Sequence, residues 1–390
     1  MNDCEKKYYE KLYALIAENS SLYKPAIEAQ TAVWEDRIPE KQPLLLWTSF
    51  PTNLEGTFPD YHYGEIRENK AKMLIKEMKT ALCVALAGAQ GVPAVRANMG
   101  CGIFPSLFPG IKPQIFDDGK MPWVVEHLDR ETIRNLKESD IVLTDEFKLC
   151  LEHMVYLAEH IKGCGAYLYP PDLQSPFDVA HLVYGDSIFY DIYDDPGLVH
   201  HLLNLSCYAI ELGVNEYSKI LPEYDNFVAH YSDLIIPRSR GGAKISEDTS
   251  TLLSSSQIDE FVTPYLKRVF DHTGGGYVHY CGVNPYLLET VFKIDNAYGY
   301  NFGNPEMHDM NEILKTGSLL GKIYYGYIFE CDNESNVVYH KENESLVDYF
   351  RRVRQQTTTD GKCRLLLQYY TSYDEKDSVL DAWEQAGDSI

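Results

Sequence analysis

Residues 276–329 read GYVHYCGVNPYLLETVFKIDNAYGYNFGNPEMHDMNEILKTGSLLGKIYYGYIF. Three runs in it, GYVHYCGV, NAYGYNFG (296–303) and KIYYGYIF (322–329), are rich in aromatic and β-branched residues and bounded by Gly and Asn, the composition of strands. Between them NPYLLETVFKI (284–294) and NPEMHDMNEILKTG (304–317) open on Asn-Pro and continue with apolar residues at helical spacing. Strand followed by helix, repeated, predicts βα units and a parallel sheet.

The same alternation extends outward in both directions. Upstream lie strand-like PLLLWTSF (43–50), VPAVRANMG (92–100) and GAYLYPPDL (165–173), separated by helical NKAKMLIKEMKTALCVALAGAQ (69–90) and EFKLCLEHMVYLAEHIKG (146–163). A long helix opens at Asp195-Pro196, and Asp129 is placed to cap another. FVAHYSDLIIPRSRGGAKISED (227–248) reads as a strand and loop, and SSSQIDEFVTPYLKRVFDHTG (254–274) as a helix. Downstream, SLVDYFRRVRQQTTTDG (345–361) is helical, CRLLLQYYT (363–371) is the last strand and DEKDSVLDAWEQAG (374–387) the last helix. This pattern predicts a (β/α)8 TIM barrel over residues 43–390, with a helical extension over 1–42 whose Tyr8, Leu12, Leu15 and Ile16 share one face. A doubly wound open sheet is the structural rival. A barrel of this kind builds its site at the C-terminal ends of its strands.

The composition narrows the function. Of 390 residues, 58 are Asp or Glu and 35 are Lys or Arg, a formal charge of −23. Such a surface repels phosphate backbones and anionic lipid, which argues against nucleic-acid and membrane-surface partners. The nine cysteines are scattered without a Cys-x-x-Cys pair and the N-terminal stretch is charged, so a cytoplasmic setting is expected. No apolar run reaches the roughly 18 residues of a membrane span. Phosphate-cradling glycine motifs and a Gly-x-Ser-x-Gly elbow are absent.

Several segments are similar to the uroporphyrinogen decarboxylase superfamily. Ser175-Pro176-Phe177-Asp178-Val179-Ala180, followed by FYDIYDDPGLVHHLL, resembles that family's Pro-Phe-(Thr or Asp)-x-Ala stretch and the helix after it. ISEDTSTLLSSSQIDEFVTPYLKRVF resembles its Asp-rich turn, and VHYCGVNPYLLE its His-x-Cys-Gly strand end. AVRANMGCGIF, YNFGNPE and the strand around Gly326 are weaker echoes, and together the matches span about residues 90–385. The superfamily holds porphyrinogen decarboxylases and zinc-dependent, corrinoid-linked methyltransferases. The arginine-rich N-terminal segment with which the decarboxylases grip carboxylates is missing, LLLWTSFPTNLEG standing in its place. The resemblance therefore implies the methyltransferase branch, with methyl transfer between a methylated corrinoid, carried by a corrinoid protein, or a small methylated compound, and a thiol. Relatives are often homodimers.

The candidate residues follow. His279 and Cys281, two apart on a strand, face the same side and supply imidazole and thiol, both zinc ligands. The resemblance implies a further cysteine on the last strand, where Gln368-Tyr369-Tyr370 stands instead; Glu306, Asp248 and Cys331 are the alternatives for a third ligand. Cys363 begins that strand and belongs at the opposite end. Asp178, Asp248 and Glu306 are the candidates for acid–base work, Asp178 having the alternative role of ordering a loop and the Glu247-Asp248 pair that of capping the helix that follows. Asn98, Cys101, Phe177, His181 and Asn301 are expected to line the substrate pocket. His200, His201 and His230 are expected to be surface or strand residues without a catalytic part. The alternatives are a cofactor-free decarboxylase in which Asp178 meets pyrrole nitrogens, with Arg96, Arg238 and Arg240 as its few cations, and a non-catalytic corrinoid- or tetrapyrrole-binding protein.

Overall fold

In the computed structural model, residues 1–116, 119–222, 225–331, 337–341 and 343–387 are described, the side chains of 330, 331, 337 and 338 excepted. Eight strands run in the order the sequence suggests: β1 (Leu44–Thr48), β2 (Ala94–Arg96), β3 (Tyr167–Tyr169), then, after an antiparallel hairpin of β4 (Phe227–His230) and β5 (Leu234–Pro237), β6 (Ala243–Ser246), β7 (Gly276–Tyr280), β8 (Ala297–Phe302), β9 (Ile323–Gly326) and β10 (Leu365–Thr371). Six of them form one parallel sheet in the order β1-β10-β9-β8-β7-β6, so the last strand lies against the first. β2 and β3 pair in parallel. Just past β3, Gln174 bridges to Ser246 of β6.

Helices connect the strands on one side. Asn69 caps the helix Lys70–Ala85, Asp195 caps Pro196–Ser218 and Asn284 caps Pro285–Lys293, each accepting from free backbone N–H groups of the first turn. These helices cover the sheet face that carries Tyr280, Tyr300, Phe302 and Tyr324. The alternate residues Tyr277, Ile323, Tyr325, Leu45 and Leu366 turn to the other face and pack against Trp34, Leu234 and Ile236. Asp129 caps its short helix as expected, bonding Thr132 N–H at 2.8 Å. Among the described residues no helix is long and apolar enough to cross a membrane.

The N-terminal segment is helical, with α1 (Asp3–Glu18) burying Leu12 and Ile16 against the Lys70–Ala85 helix. α2 (Tyr23–Trp34) lies across the inner face. Its Gln30, fully buried, donates to the carbonyls of Gln90 and Asp233 at 2.7 and 2.9 Å and accepts from Ile235 N–H at 2.8 Å. α2 therefore fastens the β4–β5 hairpin to the starts of β1 and β2. That hairpin is a correction to the sequence reading, which gave only a strand and loop there. Its turn uses Tyr231 and Ser232 at φ 51° and 80°, and neither is a residue that advertises left-handed backbone.

Candidate functional site

The site grows from three neighbouring strand ends. Ser246 on β6 is in register with His279 on β7, which is in register with Asn301 on β8, so the three side chains stand side by side on the inner face. Two residues further along β6 and β7, with the same parity, come Asp248 and Cys281. One ligand atom from each of Asp248, His279 and Cys281 lies within 4.8 Å of the others. His279 Nε2 is 3.7 Å from Cys281 Sγ, and Cys281 N–H donates to Asp248 Oδ1 at 2.6 Å.

Asn301 fixes the imidazole. Its Nδ2 donates to the Tyr325 carbonyl at 2.5 Å, which leaves Oδ1 to accept from His279 Nδ1–H, also at 2.5 Å. The tautomer is thereby set, and the Nε2 lone pair faces Cys281 and Asp248. Two glycines make room. A Cβ on Gly303 would sit 2.5 Å from Cys281 Sγ, and one on Gly326, at φ +134°, would sit 2.2 Å from Asn301 Nδ2. Burial, then the Lys244 ammonium, lower the His279 pKa and favour neutral imidazole. Burial, then the charge of Asp248, push the Cys281 thiol up to about 11.

The loop bearing Asp248 hangs from Asp178. That carboxylate, almost wholly buried on the helix Pro176–Tyr184, accepts from the backbone N–H of Asp248 at 2.8 Å and of Thr249 at 2.7 Å. Of the roles the sequence left open for Asp178, this geometry supports loop ordering. Burial and the Asp248 charge raise its pKa to about 7. Glu247 points to the helix side, accepts from the Ser250 hydroxyl and is pushed well up by burial and by Asp178.

A second group lines the inner face one pleat before the metal-type cluster. Lys244 Nζ donates to Asp172 Oδ1 at 3.0 Å and to the Ser246 hydroxyl, and Arg96 lies 3.7 Å from the same carboxylate oxygen. Burial alone would raise Asp172, but the two cations outweigh it and hold the carboxyl at about 2. Next to this group Asp233, fully buried at the hairpin turn, accepts from Trp47 Nε1 and Gln368 Nε2, each at 2.6 Å, and from the Tyr325 hydroxyl at 2.9 Å. The sequence reading named neither Lys244, Asp172 nor Asp233. Lys244 had a signal, since it shares the parity of Ser246 and Asp248, whereas Asp172 and Asp233 sit in turns where no periodicity applies.

The remaining candidates separate. Glu306 is exposed and accepts from Asn304 at 3.1 Å, outside the Asp248–His279–Cys281 group. Asn98 donates to Glu77 at 3.1 Å. Cys101 and Phe177 are buried in the core between sheet and helices. His181 lies between Asp186 and Thr249, at 3.0 and 3.4 Å. Cys331 has its side chain outside the described residues. Cys363 precedes β10 and lies 3.5 Å from the Thr357 hydroxyl, at the far end of that strand from the site. His200 bonds Tyr265 and Glu260, His201 the Leu136 carbonyl, and His230, buried on β4, the Gly242 carbonyl. No protein-family model and no curated protein matches the chain.

Proposed function

We propose that the chain is a (β/α)8 barrel of the uroporphyrinogen decarboxylase type, and that Asp248, His279 and Cys281 hold a zinc ion with which it transfers a methyl group to a thiol. The barrel reading draws on the pairing of the last strand with the first and on the Gln174–Ser246 bridge, which links the β2–β3 pair to the far edge of the six-stranded sheet. An open doubly wound sheet has no reason to pair its last strand with its first.

The single observation that carries the zinc reading is the convergence of one nitrogen, one sulfur and one carboxylate oxygen within 4.8 Å. Three protein ligands with a position left open is the donor count of catalytic zinc. The outer contact fits as well, because metal-bound histidines characteristically give their second N–H to a fixed acceptor, here Asn301. Zinc bound there would hold an incoming thiol as thiolate at neutral pH. The chain's own part is to keep Nε2 unprotonated through Asn301, and to hold Asp248 beside Cys281 through Asp178. The methyl donor in this reading is a methylated corrinoid, free or borne by a corrinoid protein, or a small methylated compound, and the setting is the cytoplasm.

Elemental analysis of the purified protein tests the metal. About one zinc per chain is expected in the wild type, with loss in His279→Ala and in Cys281→Ala. Full zinc in both variants, or none in the wild type, sinks the assignment. Transfer is read separately by mixing protein, methylcobalamin and a thiol and following the corrinoid spectrum.

A further inference from the structure

We propose that Arg96 and Lys244 form a carboxylate-binding subsite one pleat deeper than the Asp248–His279–Cys281 cluster, so that the substrate handled there is a small carboxylic acid held by its carboxylate group. The inference names the substrate class of the site proposed above and rests on that reading for the carboxylate's part in turnover. The anion site itself does not require the metal.

Arg96 carries the argument. Its guanidinium sits on β2 with 19% of the side chain exposed, and its Nε is fully enclosed without a partner. Among the described residues its side chain makes no hydrogen bond. The nearest carboxylate oxygen, on Asp172, is 3.7 Å away, beyond hydrogen-bond reach, and the Tyr169 ring lies 5.7 Å off. A guanidinium offers five N–H donors in a rigid fork, and enclosed polar groups are nearly always paired. Donors left open in so polar a setting mark a place for an acceptor.

The neighbours cannot supply it. Asp172 is committed to Lys244 through Oδ1 at 3.0 Å and to Gln174 through Oδ2 at 2.7 Å. Glu77 accepts from Asn98, and burial works against its ionisation. His230 is kept neutral, its pKa lowered to about 4 by burial. Arg96 and Lys244 both face Asp172, and they border a cavity of about 20 Å³ lined by Arg96, Tyr169, Asp172, His230, Tyr231 and Lys244. That volume takes one or two water-sized atoms, the scale of a carboxylate head. A planar carboxylate matches the guanidinium fork, and Lys244 adds a second charge from the adjacent wall.

Lys244 also sets the position relative to the chemistry. It lies two residues before Ser246, which is level with His279. A carboxylate on Arg96 and Lys244 thus leaves the rest of a short substrate pointing along β6 and β7 toward Cys281.

Isothermal titration of the whole protein with propionate, with propionamide as the uncharged control, tests the subsite. Saturable binding of propionate and none of propionamide is expected. Arg96→Gln should weaken propionate at least about tenfold, and Arg96→Lys should recover little of it because the fork is lost. Since Arg96 donates no hydrogen bond in the fold, the Gln variant should keep its near-ultraviolet circular dichroism. Cys281→Ala should bind propionate within about twofold of wild type, so a failed zinc analysis and a failed subsite give different results. Equal binding of propionate and propionamide, or undiminished propionate binding by a folded Arg96→Gln variant, overturns the proposal.

Discussion

Asn301 orients His279 with one amide whose two ends are both engaged: Nδ2 donates to the Tyr325 carbonyl and Oδ1 accepts from His279 Nδ1, both at 2.5 Å. The arrangement fixes the tautomer, because turning the amide over would set its oxygen against the Tyr325 carbonyl, two acceptors facing each other. β8 thereby dictates which nitrogen of a β7 residue is available for a ligand.

Asn301→Ala should therefore weaken zinc without touching a ligand. Removing the group that orients a metal-bound histidine characteristically costs about 10- to 100-fold in affinity. Competition with a chromogenic chelator measures it. An unchanged zinc affinity would show that the ring is held by packing alone and that Asn301 has no part in the site.

Gly303→Ala tests the crowding around the thiol. The added methyl would meet Cys281 Sγ at 2.5 Å, well inside van der Waals contact, so the sulfur or the β8 turn must move. Zinc content should fall sharply while the melting temperature drops by only a few degrees, because the methyl faces the site rather than the core. Retention of full zinc would mean that the turn yields more readily than the thiol.

Asp178→Ala should loosen the Asp248 loop. Two backbone N–H groups, of Asp248 and Thr249, lose their acceptor, and each unsatisfied donor costs about 1–3 kcal/mol. Relief of repulsion with Asp248 and Glu247 offsets part of this, so a net loss of about 2 kcal/mol is expected by urea denaturation, together with weaker zinc binding. Asp178→Asn keeps one acceptor and should fall between Asp178→Ala and the wild type on both measures. Equal stability of all three proteins would remove Asp178 from the support of the site.

Much of this was legible from the sequence because it obeys period two or period 3.6. The alternation of strands and helices reproduces the order seen, and His279 and Cys281 were selected by their parity on one strand, while Asp248 was one of three alternatives for a third ligand and is the one whose carboxylate lies with them. What escaped lies where periodicity stops. Glu306 follows a turn after β8, and its position in the chain does not reveal that the turn carries its carboxylate back to Asn304. The β4–β5 hairpin was hidden because Tyr231 and Ser232 take left-handed backbone without glycine or asparagine to signal it. With the hairpin went Asp233, whose partners Trp47, Tyr325 and Gln368 come from three separate strands.

Asp233 also gives the protein a pH dependence. Burial raises its carboxyl to about 6, although Gln368, Trp47 and Tyr325 all donate to it and pull the other way. In the unfolded chain an aspartate titrates near 3.9. A folded-state value above the unfolded one means the protonated form is favoured by folding, so the stabilisation is complete below about pH 4 and is lost as pH rises through about 6. The difference corresponds to on the order of 2–3 kcal/mol. Asp172 acts in the opposite sense, its carboxyl held at about 2, and its loss of stability falls below pH 4; Asp178, raised to about 7, and His230, lowered to about 4, titrate in the same range as Asp233, so the Asp233 contribution is read as the difference between wild type and Asp233→Asn. Asp233→Asn cannot ionise, so between about pH 4 and 6 the wild type should lose urea-denaturation stability relative to it, the two curves separating over that range and keeping a constant difference above pH 6. Parallel curves over that range would mean that the three donors already stabilise the Asp233 carboxylate as well as water does.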